Sequence, residues 1–557
     1  MADVGSLGWC CRLWHGSAAY CGGLSKLKIV VNEFSKRPYF VFVAMLVLVY
    51  LKNSWIADDA FILLRSLDNL TNGYGPVWNI HERVQVYTSA AWYWLLAFAS
   101  LLMPVSVWML LFVGFLLFLC LLKAIVWCLG DIYKFIFFSL FFVSSPAVFD
   151  FTSSGLENIL LYFLLVLLMG VVYRISNDGV ASNKLLIVGF IVGCIMIVRH
   201  DVVTLIGPAV VYVMARNQPV LGRNNVLIFV LSVSPILTFS MFSLFYYGFP
   251  FPNTAYAKLN TGIDRLALIN QGMAYVYNLL KFDPLAFCAL ILSLVVLMRS
   301  SRAIDVCIGF GVLINIFYVV FVGGDFMSGR FFSASVLVAY LTLINRVDGK
   351  VLRRVARSNR SMAIMFFGLF AYNILMSTPL FSPVGYNEKR VDLFGIADER
   401  GYYGDDHSLY SLLTDYSLGR NVPSNVMCEK GRTEHNKLVV EPVIGSFGYC
   451  LGDNRSVVVV DDLALSDPFL ARLPSLDQWR IGHFPRCIPN GYFESLISGA
   501  NHLSDSHLRQ LYADIRLATQ SDNLWAKERW LAIARLNLDS KQYSPISECD
   551  DRVRLSY

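Results

Sequence analysis

The stretch NSWIADDAFILLRSLDNLTNGYGPVWN (Asn53–Asn79) places two adjacent aspartates directly behind the first long apolar run of the chain. A helical repeat that starts at Asp58 separates polar residues from leucines and alanines on two opposite stripes. The polar stripe consists of Asp58, Arg65, Asn69 and Asn72. This pattern predicts a helix that lies on the membrane, with its polar stripe toward an aqueous cavity. The glycines and proline of NGYGP predict the turn that ends the helix.

The composition predicts a polytopic α-helical membrane protein. Hydrophobic residues make up 56% of the 557 positions, charged residues only 15%, and the mean hydropathy is +0.55. Apolar runs of about 20 residues recur from Pro38 to about Leu380, and the following sequence has the composition of a water-soluble domain. We therefore predict a cytoplasmic segment (1–37), a transmembrane domain (38–384) with a first outer loop (56–88), and a periplasmic domain (385–557).

The basic residues predict the orientation of the chain. They lie mainly in short loops such as RVDGKVLRRVARSNR (Arg346–Arg360), which we expect on the cytoplasmic side. About eleven crossings satisfy these placements, and no basic face predicts a nucleic-acid partner. The apolar stretch Ala91–Met103 does not fit this count. It is either a re-entrant or interfacial segment closed by Pro104, or the region before Phe149 holds an extra crossing.

Polar loop motifs converge on the outer face in this topology. They are Asp58–Tyr87, FDFTSSGLEN (Phe149–Asn158), RHD (Arg199–Asp201), FPFPNTAYAKLN (Phe249–Asn260), GGDFMSGR (Gly323–Arg330) and the tail. Because irregular polar backbone at membrane depth is tolerated where it lines a cavity, this convergence predicts one functional site.

The tail predicts an α/β domain, with a strand in SVVVVDD and a helix in SLISGANHLSDSHLRQLYADIRLAT. Four cysteines lie in it, and an oxidising compartment allows disulfides among them in any pairing. We predict an acceptor-binding surface on its turn-rich segments. The residues expected there are Trp479, Arg480, His483, Arg486 and Tyr492.

Asp58 and Asp59 allow two interpretations. One is a helix N-cap followed by a first-turn acid, which complements the helix dipole. The other is a general base, whose pKa is raised by partial desolvation at the membrane surface. Adjacent carboxylates also hold hard cations, so a divalent cation is one option, although no cofactor is certain. No zinc spacing, G-x-x-x-x-G-K motif or G-x-S-x-G motif is found in the sequence.

The ordered motifs DDAFILLRSLDNLTNGYGPVWN, ERVQVYTS, SGLEN, PNTAYAK, GGDFMSGRF, GSFGY, DDLALSDP, ARLP and GHFPRCIPNGY resemble the mycobacterial terminal arabinofuranosyltransferases, which are membrane-embedded GT-C glycosyltransferases. The resemblance covers Trp55 to about Tyr492. The short outer loops and the tail resemble more closely the related pilin arabinosyltransferases of pseudomonads. The resemblance implies a polyprenyl-phosphate arabinofuranose donor and transfer of arabinose to an acceptor hydroxyl outside the cytoplasmic (inner) membrane, with Ser/Thr of type IV pilin as the predicted acceptor.

Such a reaction needs a carboxylate near the acceptor hydroxyl and cations near the leaving phosphate. We assign the base to Asp58 and acceptor orientation to Asp59. The candidates for phosphate binding are Arg65, Arg199, His200, Lys258 and Arg330, and those for substrate binding are Glu157, Asn253, Tyr256, Asp325 and His483.

Structural alternatives exist for most of these residues. They are a local ion pair for Arg199 and Asp201, a turn at Asn253, a pair of Asp325 with Arg330, and a helix cap for Glu157. At the level of function, the alternatives are a terminal arabinofuranosyltransferase acting on a cell-wall glycan, and a transporter or flippase of a lipid-linked sugar. Transporters show paired half-chain repeats, and none is found in this sequence.

Overall fold

The computed structural model describes residues 37–550, except 179–181, 217–223, 377, 384–390, 421–422, 424 and 539–548. Nearly all of the predicted cytoplasmic segment, and the predicted boundary at 384/385, lie outside the described residues. The domain limits therefore stay predictions.

The apolar part of the chain is a series of α-helices joined by short turns. In chain order they are α1 (Arg37–Asn53), α2 (Asp58–Thr71), α3 (Ala90–Ala99), α4 (Val107–Leu129), α5 (Ile132–Val143), α6 (Pro146–Phe149), α7 (Asn158–Asp178), α8 (Ser182–Val198), α9 (Val203–Arg216), α10 (Asn224–Tyr247), α11 (Asn253–Leu259), α12 (Arg265–Phe282), α13 (Pro284–Met298), α14 (Ala303–Phe321), α15 (Ser333–Arg346), α16 (Gly349–Arg357) and α17 (Asn359–Leu375). Short 3₁₀ turns at Asp150–Thr152, His200–Val202 and Arg330–Phe332 precede α7, α9 and α15.

Several of these helices are suited to cross a bilayer. Among the described residues, four are long and apolar enough, and up to seven spans result if each of three bent helix pairs counts as one. These counts rest on length and composition. They support a membrane protein, and the total of about eleven crossings stays a prediction.

The sharp bend between α12 and α13 has an identifiable cause. The axis turns by 113° between α12 and α13 at Asp283, which is followed by Pro284. Proline disfavours a helical conformation in the residue before it, so the first helix ends there. The Asp283 carboxylate accepts hydrogen bonds from the backbone N–H groups of Ala286 (2.9 Å) and Ala147 (3.1 Å). This buried acid therefore satisfies the starts of two helices at once.

The stretch that did not fit the predicted topology forms the short helix α3. Its ten residues span about 15 Å, which is half the thickness of a hydrocarbon core. It ends at Ala99, and the chain turns before Pro104. The length of α3 favours a re-entrant or interfacial segment here, and the extra crossing in the region before Phe149 stays a prediction.

The tail consists of short helices around one pair of parallel strands. Its elements are α18 (Glu399–His407), α19 (Leu409–Ser417), α20 (Val426–Arg432), β1 (Leu438–Val440), α21 (Ile444–Cys450), β2 (Val458–Val460), α22 (Tyr492–Ser498), α23 (Ser506–Gln520) and α24 (Lys527–Leu538). Leu438 pairs with Val458 and Val440 with Val460. The strand predicted in SVVVVDD is confirmed as β2, and the helix predicted near the end of the tail is divided between α22 and α23. These two strands alone leave the α/β class of the tail a prediction.

The tail packs directly on loops and short helices of the apolar part of the chain. Helix α21 contacts α2, and the buried Arg400 guanidinium of α18 pairs with Asp150 at 3.3 Å. Disulfides join Cys428 to Cys450 and Cys487 to Cys549. The first holds α20 against α21, so the helix that contacts α2 is itself fixed within the tail.

Candidate active site

An open cavity, whose empty space of about 710 Å³ includes solvent at its mouth, lies where the loops between the apolar helices meet the tail. Its walls come from α2, the loops before α3 and α7, helix α11, the Gly323–Arg330 loop, and two segments of the tail near Leu465 and His483. Five of the six elements predicted to converge therefore meet in the structure, and the RHD loop (Arg199–Asp201) does not line the cavity. The predicted site residues that line the cavity are Asp59, Glu157, Lys258, Arg330 and His483.

Arg330 lies at the centre of a carboxylate cluster on one wall. Its guanidinium is 3.3 Å from Glu157 and 3.7 Å from both Asp59 and Asp325, measured between nitrogen and carboxylate oxygen. The 3₁₀ turn that begins at Arg330 follows Gly329, whose φ of 75° is a left-handed conformation that favours glycine. A single cation thus positions three acids that come from separate parts of the chain.

The predicted pair of Asp325 with Arg330 is confirmed, and Asp325 does not line the cavity. Asp325 is 2% exposed, and one of its oxygens accepts a hydrogen bond from the N–H of Phe326 (2.9 Å). Burial raises the pKa of this carboxyl, although the Arg330 charge opposes the shift. Asp325 therefore supports Arg330 from behind the cavity wall.

Lys258 lies in the last turn of α11 and is exposed. Within the described part of the chain, no carboxylate lies within 4.0 Å of its ammonium group. It lines the same cavity as Asp59 and Arg330. A cation without a fixed partner keeps its charge available to an anionic ligand.

His483 enters the cavity from a tight hairpin of the tail. Backbone hydrogen bonds link Arg480 and His483 in both directions (3.0 and 2.8 Å), and Gly482 turns the chain with φ 77°. The imidazole packs edge-on against Phe326, with ring centroids 4.6 Å apart. Burial, reinforced by the Arg480 charge, lowers the pKa of His483 to about 4. At neutral pH the ring is therefore uncharged. Its Nδ1–H donates to the Ile481 carbonyl (3.4 Å), which leaves Nε2 as an acceptor.

Asp58 faces away from this cavity and toward the tail. Its carboxylate accepts hydrogen bonds from the N–H groups of Gly445 (3.1 Å) and Ser446 (2.9 Å), at the start of α21. Helix α2 itself begins at Asp58 after Ala57, which makes no side-chain cap. The N-cap interpretation of Asp58 for its own helix is wrong, because the side chain caps a different helix, α21.

The polar stripe of α2 is buried, so the expectation that it faces an aqueous cavity is wrong for Arg65 and Asn69. Arg65 is 4% exposed, lies over the Trp78 ring at 4.4 Å, and donates to the carbonyls of Trp78 and Gly448. Asn69 donates to the carbonyls of Val77 and Trp78. Arg65 thus holds the loop after α2 against the tail, and it does not line the cavity.

Arg199 and His200, two further phosphate-binding candidates, also lie outside the cavity wall. Arg199 is 8% exposed and forms a two-pronged pair with Asp201, with nitrogen–oxygen distances of 3.1 and 2.7 Å. The local ion pair predicted as its structural alternative is therefore present. His200 is half-buried beside Phe251, with ring centroids 6.3 Å apart.

Asn253 and Tyr256 of α11 contact the tail. The Asn253 amide donates to the carbonyls of Ala464, Leu465 and Asp467 at 2.9 to 3.2 Å. The Tyr256 ring lies under the guanidinium of Arg472 at 3.9 Å. Both residues fasten α11, and with it Lys258, to the segment of the tail that closes the cavity.

The predicted acceptor surface of the tail is partly wrong. Arg486 is 1% exposed and donates to the carbonyls of Phe484 and Ala257, and Tyr492 is 3% exposed and donates to Asp467. Tyr492 therefore belongs to the interior of the tail, and Arg486 is buried between the tail and α11. Trp479 and Arg480 are half-buried.

Glu399 is a neighbour of the site that the sequence did not indicate. This first residue of α18 is 7% exposed. Burial raises the pKa of its carboxyl, and the nearby Asp59 carboxylate adds to the shift. Its sequence context, an acid in the first turn of a helix, is too common to mark a site.

The adjacent aspartates do not fit a cation site. Both Asp58 oxygens accept backbone hydrogen bonds from α21, and Asp59 faces Arg330. No group of three or more His, Cys, Asp or Glu side chains with metal-binding geometry occurs among the described residues. A divalent cation in the cavity stays a prediction.

Comparisons with known proteins point to one activity. The chain is similar to a terminal β-(1→2)-arabinofuranosyltransferase of Mycobacterium tuberculosis, with 27% identity over 528 residues that cover 78% of this chain and 81% of that protein. A protein of the same name from Corynebacterium glutamicum is 29% identical over 330 residues, which are 50% of this chain and 46% of that protein. No family model and no solved structure matches the chain. These similarities support an arabinofuranosyltransferase family, and therefore a glycosyltransferase.

Proposed function

We propose that the protein is a GT-C membrane glycosyltransferase that transfers arabinofuranose from polyprenyl-phosphate arabinofuranose to a hydroxyl group of a glycan. The observation that carries this proposal is the cavity itself, in which the partly exposed Asp59 carboxylate and the cation Lys258 line one space. Glycosyl transfer to a hydroxyl requires both a proton acceptor and a counter-charge for the leaving phosphate.

The acceptor is a sugar rather than the predicted pilin side chain. The name of both relatives specifies a (1→2) linkage, which joins one sugar to the 2-oxygen of another. The pilin acceptor depended on the tail surface, and two of its five residues are buried. The glycan alternative therefore has the stronger support.

In our proposal, the general base is Asp59 rather than Asp58. The Asp59 side chain is 34% exposed and lines the cavity, whereas the Asp58 oxygens are occupied by the amides of Gly445 and Ser446. A base must have a free oxygen within hydrogen-bond reach of the hydroxyl. Arg330 orients Asp59, and Asp58 fixes the helix that carries it.

Lys258 is the proposed partner of the donor phosphate. Arg330 already serves three carboxylates, so a phosphate near it meets negative charge as well as positive charge. Within the described residues, Lys258 has no carboxylate within 4.0 Å, and the Asp325 charge acts on it only at longer range. Leu259, next to Lys258, and Phe251, just before α11, expose apolar side chains that suit a lipid carrier. Arg65, Arg199 and His200 are not part of this proposal.

The reaction is a displacement at the anomeric carbon. The acceptor oxygen forms a bond to this carbon while the bond to the phosphate oxygen breaks, and the acceptor proton passes to Asp59. The phosphate leaves with the bonding electrons and stays attached to its lipid. The neutral His483 ring, whose Nδ1–H donates to the Ile481 carbonyl, accepts a hydrogen bond from a sugar hydroxyl at Nε2 in the same cavity.

Two features of the tail support a periplasmic site. Its two disulfides require an oxidising compartment, and the tail forms part of the cavity wall. The cavity therefore opens on the same side of the inner membrane as the tail.

The test is turnover by the purified protein in detergent with labelled polyprenyl-phosphate arabinofuranose. Release of polyprenyl phosphate should require an arabinofuranoside acceptor with a free 2-hydroxyl, and the 2-deoxy analogue should not react. A pilin peptide serves as the second acceptor, and transfer to it alone would reject the glycan proposal. Transport of intact donor across liposomes without bond cleavage would reject the enzyme in favour of a flippase.

A further inference from the structure

Basic side chains fill the exposed face of helix α16, which does not line the cavity of the proposed site. Lys350, Arg354 and Arg357 follow the i, i+4, i+7 spacing of a single helical stripe, and all three are exposed. The opposite face carries Leu352, which is 6% exposed and packs toward α5. This helix is therefore strongly amphipathic and fixed to the rest of the protein by its apolar face.

The position of α16 is that of a helix on the bilayer surface. It is bent by 86° from α15, and its four basic residues among nine exclude it from the hydrocarbon region. The next helix, α17, returns to an apolar environment, since Phe366, Phe367 and Leu375 are 60% to 80% exposed. A polar helix between two apolar ones lies at the membrane boundary.

The acidic side chains near α16 already cap helices or form an ion pair. Asp348 caps α16 by accepting from the N–H of Lys350 (2.8 Å), and Asp131 caps α5 in the same way (2.8 and 3.1 Å). Asp305 pairs with Arg346 at 2.8 Å. Among the described residues, no carboxylate lies within 4.0 Å of Lys350, Arg354 or Arg357. The positive stripe is thus uncompensated by the protein.

We propose that α16 is a docking surface for anionic phospholipid headgroups, with Lys350, Arg354 and Arg357 as their partners. Basic residues at a membrane surface attract anionic lipids by about 1 kcal/mol each, which is about fivefold in binding per charge. The exposed Val351 (45%) on the neighbouring position adds an apolar contact to the acyl boundary. This surface is independent of the transfer reaction proposed above.

The experiment measures bound lipid on the delipidated full-length protein by native mass spectrometry, with added dioleoylphosphatidylglycerol or dioleoylphosphatidylcholine. The wild type should retain phosphatidylglycerol preferentially. Arg354→Gln with Arg357→Gln should lower this retention by about fivefold for each charge removed, whereas Arg354→Lys with Arg357→Lys should keep most of it.

The matched control is Lys437→Gln with Lys527→Gln, which removes two exposed charges from the tail. It should bind phosphatidylglycerol like the wild type. Equal retention of both lipids by the wild type, or an equal decrease in the tail control and the α16 variant, would overturn the proposal. The charge-conserving lysine variant keeps the test decisive if the glutamine variant does not fold.

Discussion

Asp58 and Asp59 are neighbours in sequence, and their carboxylates lie in opposite environments. Asp58 faces the tail and accepts two backbone hydrogen bonds from α21, whereas Asp59 faces the cavity and lies 3.7 Å from Arg330. Successive side chains of a helix project about 100° apart, so a helix between two partners assigns adjacent acids to different tasks. Helix α2 therefore has a structural face, which packs against the tail, and a cavity face, which carries the proposed base.

The largest expected effect comes from Asp59→Asn on the cavity face. Turnover should fall by about 10²- to 10⁴-fold, because the amide cannot accept the proton of the acceptor hydroxyl. Stability and donor binding should stay near wild type, since Lys258 is unchanged. Turnover is measured as release of polyprenyl phosphate at saturating donor. Turnover within tenfold of wild type, at matched protein level, would remove Asp59 from the role of base.

Arg330→Gln tests the cluster that organises the cavity face. The change leaves three carboxylates without their shared cation, so the free energy of unfolding should fall by about 3–5 kcal/mol. Chemical denaturation in detergent measures this loss. Arg330→Lys is the control, because it keeps the charge but not the forked geometry, and it should recover part of the stability. An unchanged denaturation midpoint for Arg330→Gln would show that the acids do not depend on Arg330.

The sequence predicted the local features of both faces. The spacing from Asp58 indicated an amphipathic helix, the glycines indicated its end near Thr71, and the structure has both. The pairing of Asp325 with Arg330 was also predictable, because the two residues are five positions apart in one short loop. Loop polarity indicated where the cavity would form.

The partner that covers each face was not predictable. Periodicity shows that Arg65 and Asn69 share a stripe, but the stripe is covered by α21, nearly 400 positions later in the chain. In the same way, Asn253 was predicted to bind substrate, with a turn as the alternative, and neither indicates its hydrogen bond to the tail carbonyl of Ala464. Contacts between distant segments depend on tertiary packing, and a single sequence carries no signal for them.

Gly445→Ala tests the structural face by steric means. A Cβ atom at this position would overlap the side chain and backbone of Asp58, so α21 must move away from α2. We expect a loss of about 1–3 kcal/mol in the free energy of unfolding, as for overpacked sites. Gly368→Ala is the matched control, because a Cβ atom there meets no neighbour within 4 Å. Equal thermal stability of the two variants would show that α21 does not depend on close contact with Asp58.

Asp58→Asn has a smaller effect, because Asn is nearly as good as Asp at capping helix amides. Turnover should stay within tenfold of wild type, in contrast to Asp59→Asn. The two variants assayed side by side give the sharpest form of the comparison. A loss of 10²-fold or more in Asp58→Asn, with stability unchanged, would return the role of base to Asp58.

The smallest expected effect is the pH dependence of the Asp58 contact. Burial raises the pKa of Asp58 from its usual 3.8 to about 6, although the Ser446 amide opposes the shift. The folded protein therefore holds this proton up to a higher pH than the unfolded chain does. The resulting stability is fully present below about pH 4 and is lost as the pH rises through about 6. The melting temperature of wild type relative to Asp58→Asn should accordingly be higher at pH 4.5 than at pH 7.5, since the amide does not titrate. Melting curves of the two proteins that shift in parallel between these pH values would contradict a buried, proton-binding Asp58.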